Sequence, residues 1–338
     1  MKGETAVKKY IVKTLNSMAT GLFASLLIGL ILEQLGVLLG SSMLQNFGMF
    51  AKTLMGPAIG IAIAASLDAP PLVLTAAAVA GALGAGTIQL SSELILATPG
   101  EPVGAYVAAL AATEVGKRIS GKTPVDIILS PAITILVGGL TAIIVSPAVS
   151  KLMTSLGAFI NEATTLHPFL MGIIVSVAMG MILTLPISSA AIAISLKLSG
   201  LAAGAATVGC CCQMIGFAVS SFKDNKWGGA LAQGIGTSML QMPNIIENWR
   251  IWIPPTLASA ILGPVATMIF KMENIPTGAG MGTSGLVGQI GTIAAMGTSS
   301  VPAIILLHFL LPGIISALFT HLLIKISWIK PGDMKLKV

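Results

Sequence analysis

Long apolar runs alternate with short polar breaks along most of the chain, and this pattern predicts membrane-spanning helices. The clearest apolar runs are residues 17–39, 126–146, 201–221, 251–270 and 301–326. Each approaches or exceeds the roughly 20 apolar residues that a helix needs to cross a bilayer. Shorter or interrupted runs are residues 56–66, 72–90, 103–114 and 168–194. We therefore expect an all-α, polytopic membrane protein with about ten transmembrane helices.

Two segments, residues 227–250 and 277–300, do not fit a lipid-facing helix. The first carries several amide and charged side chains, and the second has seven glycines. Irregular backbone at membrane depth occurs where protein buries it or where it lines a wet cavity, and transporters place substrate sites at such breaks. We interpret both segments as re-entrant elements that flank the run 251–270. The alternative is a pair of long extramembrane loops.

Composition agrees with a membrane protein and excludes several other classes. Hydrophobic residues make up 55% of the chain and charged residues only 9%, with a mean hydropathy of +0.95. The net charge of +6 is not gathered into one stripe, so nucleic acid is not an expected partner. Residues 1–338 are expected to form one membrane-embedded domain without a soluble domain, because each polar gap is too short for an independent core. No cleavable signal peptide is predicted.

Basic residues predict the orientation of this domain. They cluster at both tails and in a break that contains Lys117, Arg118 and Lys122, and cytoplasmic loops carry the excess of Lys and Arg. We expect a multi-pass protein of the inner (plasma) membrane with both termini cytoplasmic.

The densest polar group predicted to bind a solute is Gln241 and Asn244 beside Pro243, followed by Glu247 and Arg250. Amides with several donors and acceptors suit hydroxyl-rich ligands. Glu247 and Arg250 are spaced i and i+3, so the two are either ligand contacts or an ion pair on one helical face.

Other candidate site residues lie at breaks in the apolar pattern. Ser188 and Ser189 follow Pro186, which interrupts a span, and His167 precedes another span. Gly280 and Gly282, in the glycine-rich segment, allow close backbone approach to a ligand.

Further ionisable or polar groups lie within apolar runs. Glu93 and Glu114 are interior candidates, and His308 is interpreted as a hydrogen-bonding residue between helices. The consecutive cysteines 210–212 are interpreted as packing residues. No metal site and no cofactor are predicted, and catalytic residues are not identifiable.

At these breaks the sequence resembles the membrane IIC component of bacterial sugar phosphotransferase systems, in the fructose/glucose superfamily. The run AMGMILTLPISSAA at residues 178–191 resembles a GAMMAFDMGGPVNKAA element. The runs TSMLQMP at 237–243 and ENWRIWIP at 247–254 resemble a TEGAIPF tip followed by DPLRVIP. The resemblance covers about residues 104–291 and is closest to a stand-alone branch that includes perfringolysin regulator-like proteins.

The chain departs from this resemblance where phosphoryl transfer is concerned. The family's sugar-binding glutamate falls on Ser238 when the threonines are matched and on Met239 when the prolines are matched. The family's asparagine–lysine pair falls on Ser188 and Ser189, and the glycine-rich segment lacks the family's histidine. Whether the chain takes part in enzymatic phosphotransfer is therefore left open.

The leading functional hypothesis is a permease or binding protein for a small polar solute, a class that includes sugars. The resemblance implies separate IIA and IIB proteins as partners, and a homodimer. Two alternatives remain open: a membrane sensor that regulates gene expression, and an ion- or proton-coupled carrier that uses Glu247 and His167.

Overall fold

A computed structural model describes residues 2–90, 95–97 and 100–336, and within them the protein is almost entirely helical. The chain forms two compact units that divide between residues 152 and 153. The helices of the first unit are α1 Lys2–Leu22, α2 Ile28–Leu38, α3 Ser42–Thr53, α4 Met55–Ser66, α5 Pro71–Ala85 and α6 Pro102–Ile119. Helix α7, Asp126–Thr164, contributes to both units.

The second unit is built from shorter and more interrupted helices. They are α8 Pro168–Thr184, α9 Ser189–Ser195, α10 Gly200–Ser220, α11 Phe222–Leu231, α12 Met242–Glu247, α13 Ile253–Pro264, α14 Pro276–Ala279, α15 Val287–Met296, α16 Val301–Ile304 and α17 Leu311–Lys325. Four short 3₁₀ turns lie among them, at Ser238–Gln241, Trp249–Trp252, Ser284–Leu286 and Thr298–Ser300.

π-Helical turns interrupt four of the helical runs. They are Phe23–Leu27, Ala232–Gly236, Val265–Ile269 and Ile305–Leu310. A π turn inserts one extra residue into the helix and re-aims the side chains that follow, and such turns are frequent at functional sites. The last of the four carries His308.

Small residues hold the helices of the first unit together. A Cβ on Gly60 would meet the carbonyl of Ala77, and one on Gly84 would meet the carbonyl of Gly104. Such close backbone approach is typical of helices that associate in lipid. Polar pairs add to it: Tyr10 donates to Glu114 Oε1 at 2.6 Å, which places Glu114, an interior candidate, in a contact between α1 and α6.

A two-stranded antiparallel hairpin follows α5. Strand β1, Ile88–Leu90, pairs with β2, Ile95–Ala97. The sequence pattern predicted that the apolar run would stay helical to residue 90, but Gly86 adopts a left-handed φ of 65° and ends α5 at Ala85. A glycine in this conformation is a common helix terminator. Glu93 lies outside the described residues.

The second unit packs around α10, in which 16 of 21 residues are buried. Gly209 sits against the carbonyl of Ser176 on α8, and Ser176 donates to the carbonyl of Ser259 on α13 at 2.7 Å. The core continues from α10 and α13 into α16 and the π turn that follows it, through Val208, Cys212, Leu262 and Leu307.

Five helical runs in the described part of the chain are long and apolar enough to cross a membrane. They are Lys9–Val37, Asp126–Thr164, Gly200–Ser220, Trp249–Ile269 and Thr298–Lys325. Helices α3 and α4 form a pair bent by 53°, which has the composition of a broken span or re-entrant loop. The prediction of an all-α, polytopic membrane protein is confirmed, and the count of about ten spans remains a prediction.

Candidate functional site

The proline break after α8 is joined to the glycine-rich segment. Ser188 caps α9, since its Oγ accepts a hydrogen bond from Ala191 N at 3.2 Å. Ser189 is buried, and its hydroxyl donates to the Gly280 carbonyl at 2.6 Å. A Cβ on Gly280 would collide with the Ser189 carbonyl, so glycine is needed for this approach. Three predicted site residues, Ser188, Ser189 and Gly280, therefore lie together.

Gly282 brings the same segment onto α10. It has a φ of 53°, and a Cβ there would lie 2.8 Å from Cys210 Cβ. The neighbouring Thr283 is buried, and its hydroxyl donates to the carbonyl of Gly234 in the segment 227–250. The two segments that the sequence set apart are thus in contact.

Ser238, at the start of the first 3₁₀ turn, reaches the end of α8. Its hydroxyl is hydrogen-bonded to that of Thr184, with the oxygens 2.8 Å apart. Thr184 is 3.3 Å from Gln213 Oε1 on α10. Both hydroxyls are fully buried. Of the two positions onto which the family's glutamate falls, Ser238 and Met239, the first therefore carries a neutral hydroxyl in contact with the end of α8.

Gln213 is the centre of this polar network, and the sequence analysis did not select it. Its Oε1 accepts from Trp252 Nε1 at 2.9 Å, and its Nε2 donates to Thr256 Oγ1 at 3.2 Å. A lone amide in the otherwise small and apolar α10 was the available signal, because a polar side chain in a span is costly unless it has partners. Every side chain named in the network is uncharged.

Gln241 and Asn244, two of the predicted site residues, are buried, and their amide groups bind protein. Gln241 Nε2 donates to Gln233 Oε1 at 2.8 Å and to Met334 O at 2.9 Å. Asn244 Nδ2 donates to Gln241 Oε1 at 2.8 Å and to Lys335 O at 3.0 Å. They therefore hold residues 326–336, which we call the tail segment.

The charged or ionisable candidates lie on the surface of the second unit. Glu247 ends α12 with an exposed side chain. Arg250 places its guanidinium carbon 5.1 Å from the centroid of the Trp328 ring, a cation–π contact with the tail segment. His167 is exposed and caps α8, because its Nδ1 accepts from Phe169 N at 3.4 Å.

Asn274 was also missed, although it fixes the glycine-rich segment. Its Nδ2 lies 2.7 Å from Thr207 Oγ1, 2.9 Å from the Gly288 carbonyl and 3.2 Å from Thr292 Oγ1. Gly278 and Gly291 pack directly on its side chain. The sequence pattern singled out the glycine-rich segment 277–300, but Asn274, which fixes its position, lies just before it in the chain.

Comparison with known proteins places this chain in a family. The family model described as "Phosphotransferase system, EIIC" matches residues 12–336. Searches of curated proteins and of solved structures found no match. The family resemblance inferred from the motifs is confirmed. Membership of this family makes the protein a multi-pass membrane component of sugar transport. The chain belongs to the EIIC family of the phosphotransferase system.

Proposed function

We propose that this protein is a permease for an uncharged sugar or polyol whose site lies in the second unit, beside residues 209–214 of α10. The observation that carries the proposal is a convergence of interrupted segments. The end of α8 contacts this stretch through Thr184 and Gln213, and the glycine-rich segment contacts it through Gly282 and Thr283. The turn at Ser238 joins them through its hydrogen bond to Thr184. Transporters place substrate sites at such discontinuous helices.

The chemistry of the convergence favours a neutral, hydroxyl-bearing solute. Hydroxyl and amide side chains donate and accept hydrogen bonds as sugar hydroxyls do. The network around Gln213 contains no charged side chain that would select an ion. Ser189, Gly280 and Gly282 supply the close approach of two backbones, and Gln241 and Asn244 position the segment that carries Ser238.

The same chemistry predicts uptake that is not strictly tied to phosphorylation. Neither position onto which the family's glutamate falls, Ser238 or Met239, carries a carboxylate. A neutral hydroxyl such as that of Ser238 is too weak a base to accept a proton near neutral pH. Separate IIA and IIB proteins, the usual partners of this family, would then be dispensable for movement of the sugar. Homodimerisation stays a prediction.

Transport into proteoliposomes tests the proposal. Purified protein is reconstituted and given radiolabelled D-glucose, D-fructose or D-mannitol, with and without phosphoenolpyruvate and the soluble phosphocarrier proteins. We expect saturable entry of at least one unmodified sugar without phosphoenolpyruvate. Entry should fall about tenfold or more in a Thr184→Val, Ser238→Ala double variant, because two buried hydrogen-bonding groups are lost.

The matched control is Ser299→Ala, which removes an exposed hydroxyl outside the network and should leave uptake unchanged. Sugar that appears only in phosphorylated form, and only with phosphoenolpyruvate, would contradict uncoupled transport. Entry that needs an ion gradient and is lost in Glu247→Gln or His167→Gln would favour the carrier alternative. Absence of entry under every condition would favour a sensor.

A further inference from the structure

A buried pair of side chains, Gln289 on α15 and His308 in the π turn after α16, has hydrogen-bonding capacity left over. Gln289 is 6% exposed and His308 is 0% exposed. Gln289 Nε2 and His308 Nδ1 lie 3.1 Å apart, and Gln289 Nε2 also lies 3.5 Å from Cys211 Sγ on α10. Gln289 Oε1 and His308 Nε2 have no hydrogen-bond partner among the described residues.

The roles of the two remaining atoms follow from the contact between the side chains. An amide nitrogen only donates, so His308 Nδ1 accepts, and in the uncharged imidazole the proton then sits on Nε2. The pair is left with one acceptor, Gln289 Oε1, and one donor, His308 Nε2–H. Exchanging the amide oxygen and nitrogen reverses both roles and leaves the same complement of one donor and one acceptor.

Local structure holds both residues in place. Gln289 follows Gly288, whose carbonyl accepts from Asn274 Nδ2 at 2.9 Å and whose N–H donates to Gly282 O at 3.1 Å. His308 lies in the π turn Ile305–Leu310, a type of turn that often marks functional positions. The contact between Gln289 and Cys211 places the pair beside the stretch of α10 where the interrupted segments converge.

We propose that Gln289 and His308 form a contact point for hydroxyl groups of an uncharged solute. A hydroxyl donates one hydrogen bond and accepts others, so one hydroxyl, or two on adjacent carbons, complements both free atoms. A cation would meet the imidazole N–H, and an anion would meet the amide oxygen, so neither fits both. The inference deepens the sugar permease proposal and rests on it for the identity of the solute. An ordered water has the same chemistry, and the test separates the two sources.

The test uses the three histidines of the chain, His167, His308 and His321. Protein labelled with ¹⁵N-histidine is placed in lipid nanodiscs and titrated with glycerol, D-glucose, D-fructose and D-mannitol, with betaine at equal osmolality as a solute that lacks hydroxyls. His167→Gln and His321→Gln variants, both at exposed positions, assign the resonances and leave that of His308 by elimination. We expect a saturable shift of the His308 ring nitrogens with at least one hydroxyl solute and none with betaine.

A matched variant probes the partner of the histidine. Gln289→Met keeps the length of the side chain but removes its amide, and should weaken the titration about two- to tenfold for each hydrogen bond lost. The His167 and His321 resonances should stay constant throughout. The titration of the unaltered protein decides the outcome even where a variant does not fold.

A His308 resonance that none of the four hydroxyl solutes moves would overturn the inference and leave the pair with a structural water only. A protein that imports sugar while His308 stays unmoved would contradict this inference alone. A protein whose His308 responds to glycerol but which imports no sugar would contradict the permease proposal alone.

Discussion

At the scale of single residues, Lys226 has an unusual backbone, with a φ of 54° and a ψ of −158°. This region of backbone space is occupied almost only by glycine and costs another residue about 1–3 kcal/mol. The kink aims its neighbours at the tail segment: Asp224 accepts from Gly332 N at 3.1 Å, and Asn225 accepts from Leu336 N at 2.8 Å. The tail contacts therefore offset the strain.

Replacing this residue should stabilise the protein. Lys226→Gly removes the steric conflict, but glycine loses more conformational entropy when the chain folds. The net effect is expected to be a rise of about 1 kcal/mol in the free energy of unfolding. The midpoint of thermal unfolding in detergent measures the change. Lys223→Gly, in the same helix without a strained backbone, is the matched control and should be neutral or destabilising. Equal effects of the two substitutions would show that Lys226 is not strained.

Sequence reasoning found polar residues that are buried, but it did not find their partners. It selected Gln241 and Asn244 because amides with several donors and acceptors suit hydroxyl-rich ligands, and both are buried. Their partners are the carbonyls of Met334 and Lys335. Every residue has a backbone carbonyl, so residue identity does not indicate which carbonyls will accept from these amides. The contact with a distant chain segment could therefore not be predicted before the fold was known.

At the scale of elements, long apolar runs were predicted well and short broken pieces were not. Helix α7 continues to Thr164 through Pro131 and Pro147, whereas the apolar pattern ended the span at residue 146. Proline is tolerated within membrane helices because neighbouring groups re-satisfy the freed carbonyl. The divisions within residues 227–250 and 277–300 depend on tertiary contacts of Ser238, Thr283 and Asn274, which periodicity does not encode.

The tail segment acts as an element in its own right, so its attachment should be measurable. Ile329 and Met334 pack with Phe217, Ile245 and Ile251, while the amides of Gln241 and Asn244 bind its backbone. Gln241→Ala and Asn244→Ala should each destabilise the protein by about 1–3 kcal/mol, because buried carbonyls lose their donors. Thermal unfolding gives the size of the effect.

A second measurement follows the tail itself. Each variant should speed digestion by carboxypeptidase, since a loosened tail is open for longer. Asn46→Ala, at an exposed position of the first unit, is the control for loss of an amide. Unchanged digestion in both tail variants would show that the amides do not hold the segment.

At the scale of the whole molecule, the family and the membrane character followed from the sequence, and the orientation is open to a direct test. Cysteines placed at the exposed positions Lys9, Lys122 and Lys335 should react with an impermeant thiol reagent only after cells are permeabilised, because basic segments stay in the cytoplasm. The native cysteines are fully buried and add little background. Two cytoplasmic termini imply an even number of spans. Labelling of either terminal site in intact cells would contradict the predicted cytoplasmic position of that terminus.

The contact between Asn244 and the tail segment has a consequence for biosynthesis. Lys335 is added to the growing chain 91 residues after Asn244, which is roughly 5–20 s later at the usual pace of a ribosome. During that interval one N–H of each amide, Gln241 Nε2 and Asn244 Nδ2, is without the tail carbonyl that accepts from it in the folded protein. The turn that carries Ser238 therefore completes its native contacts only when translation reaches the tail, and a ribosome stalled before residue 334 would hold an otherwise inserted protein in an unfinished state.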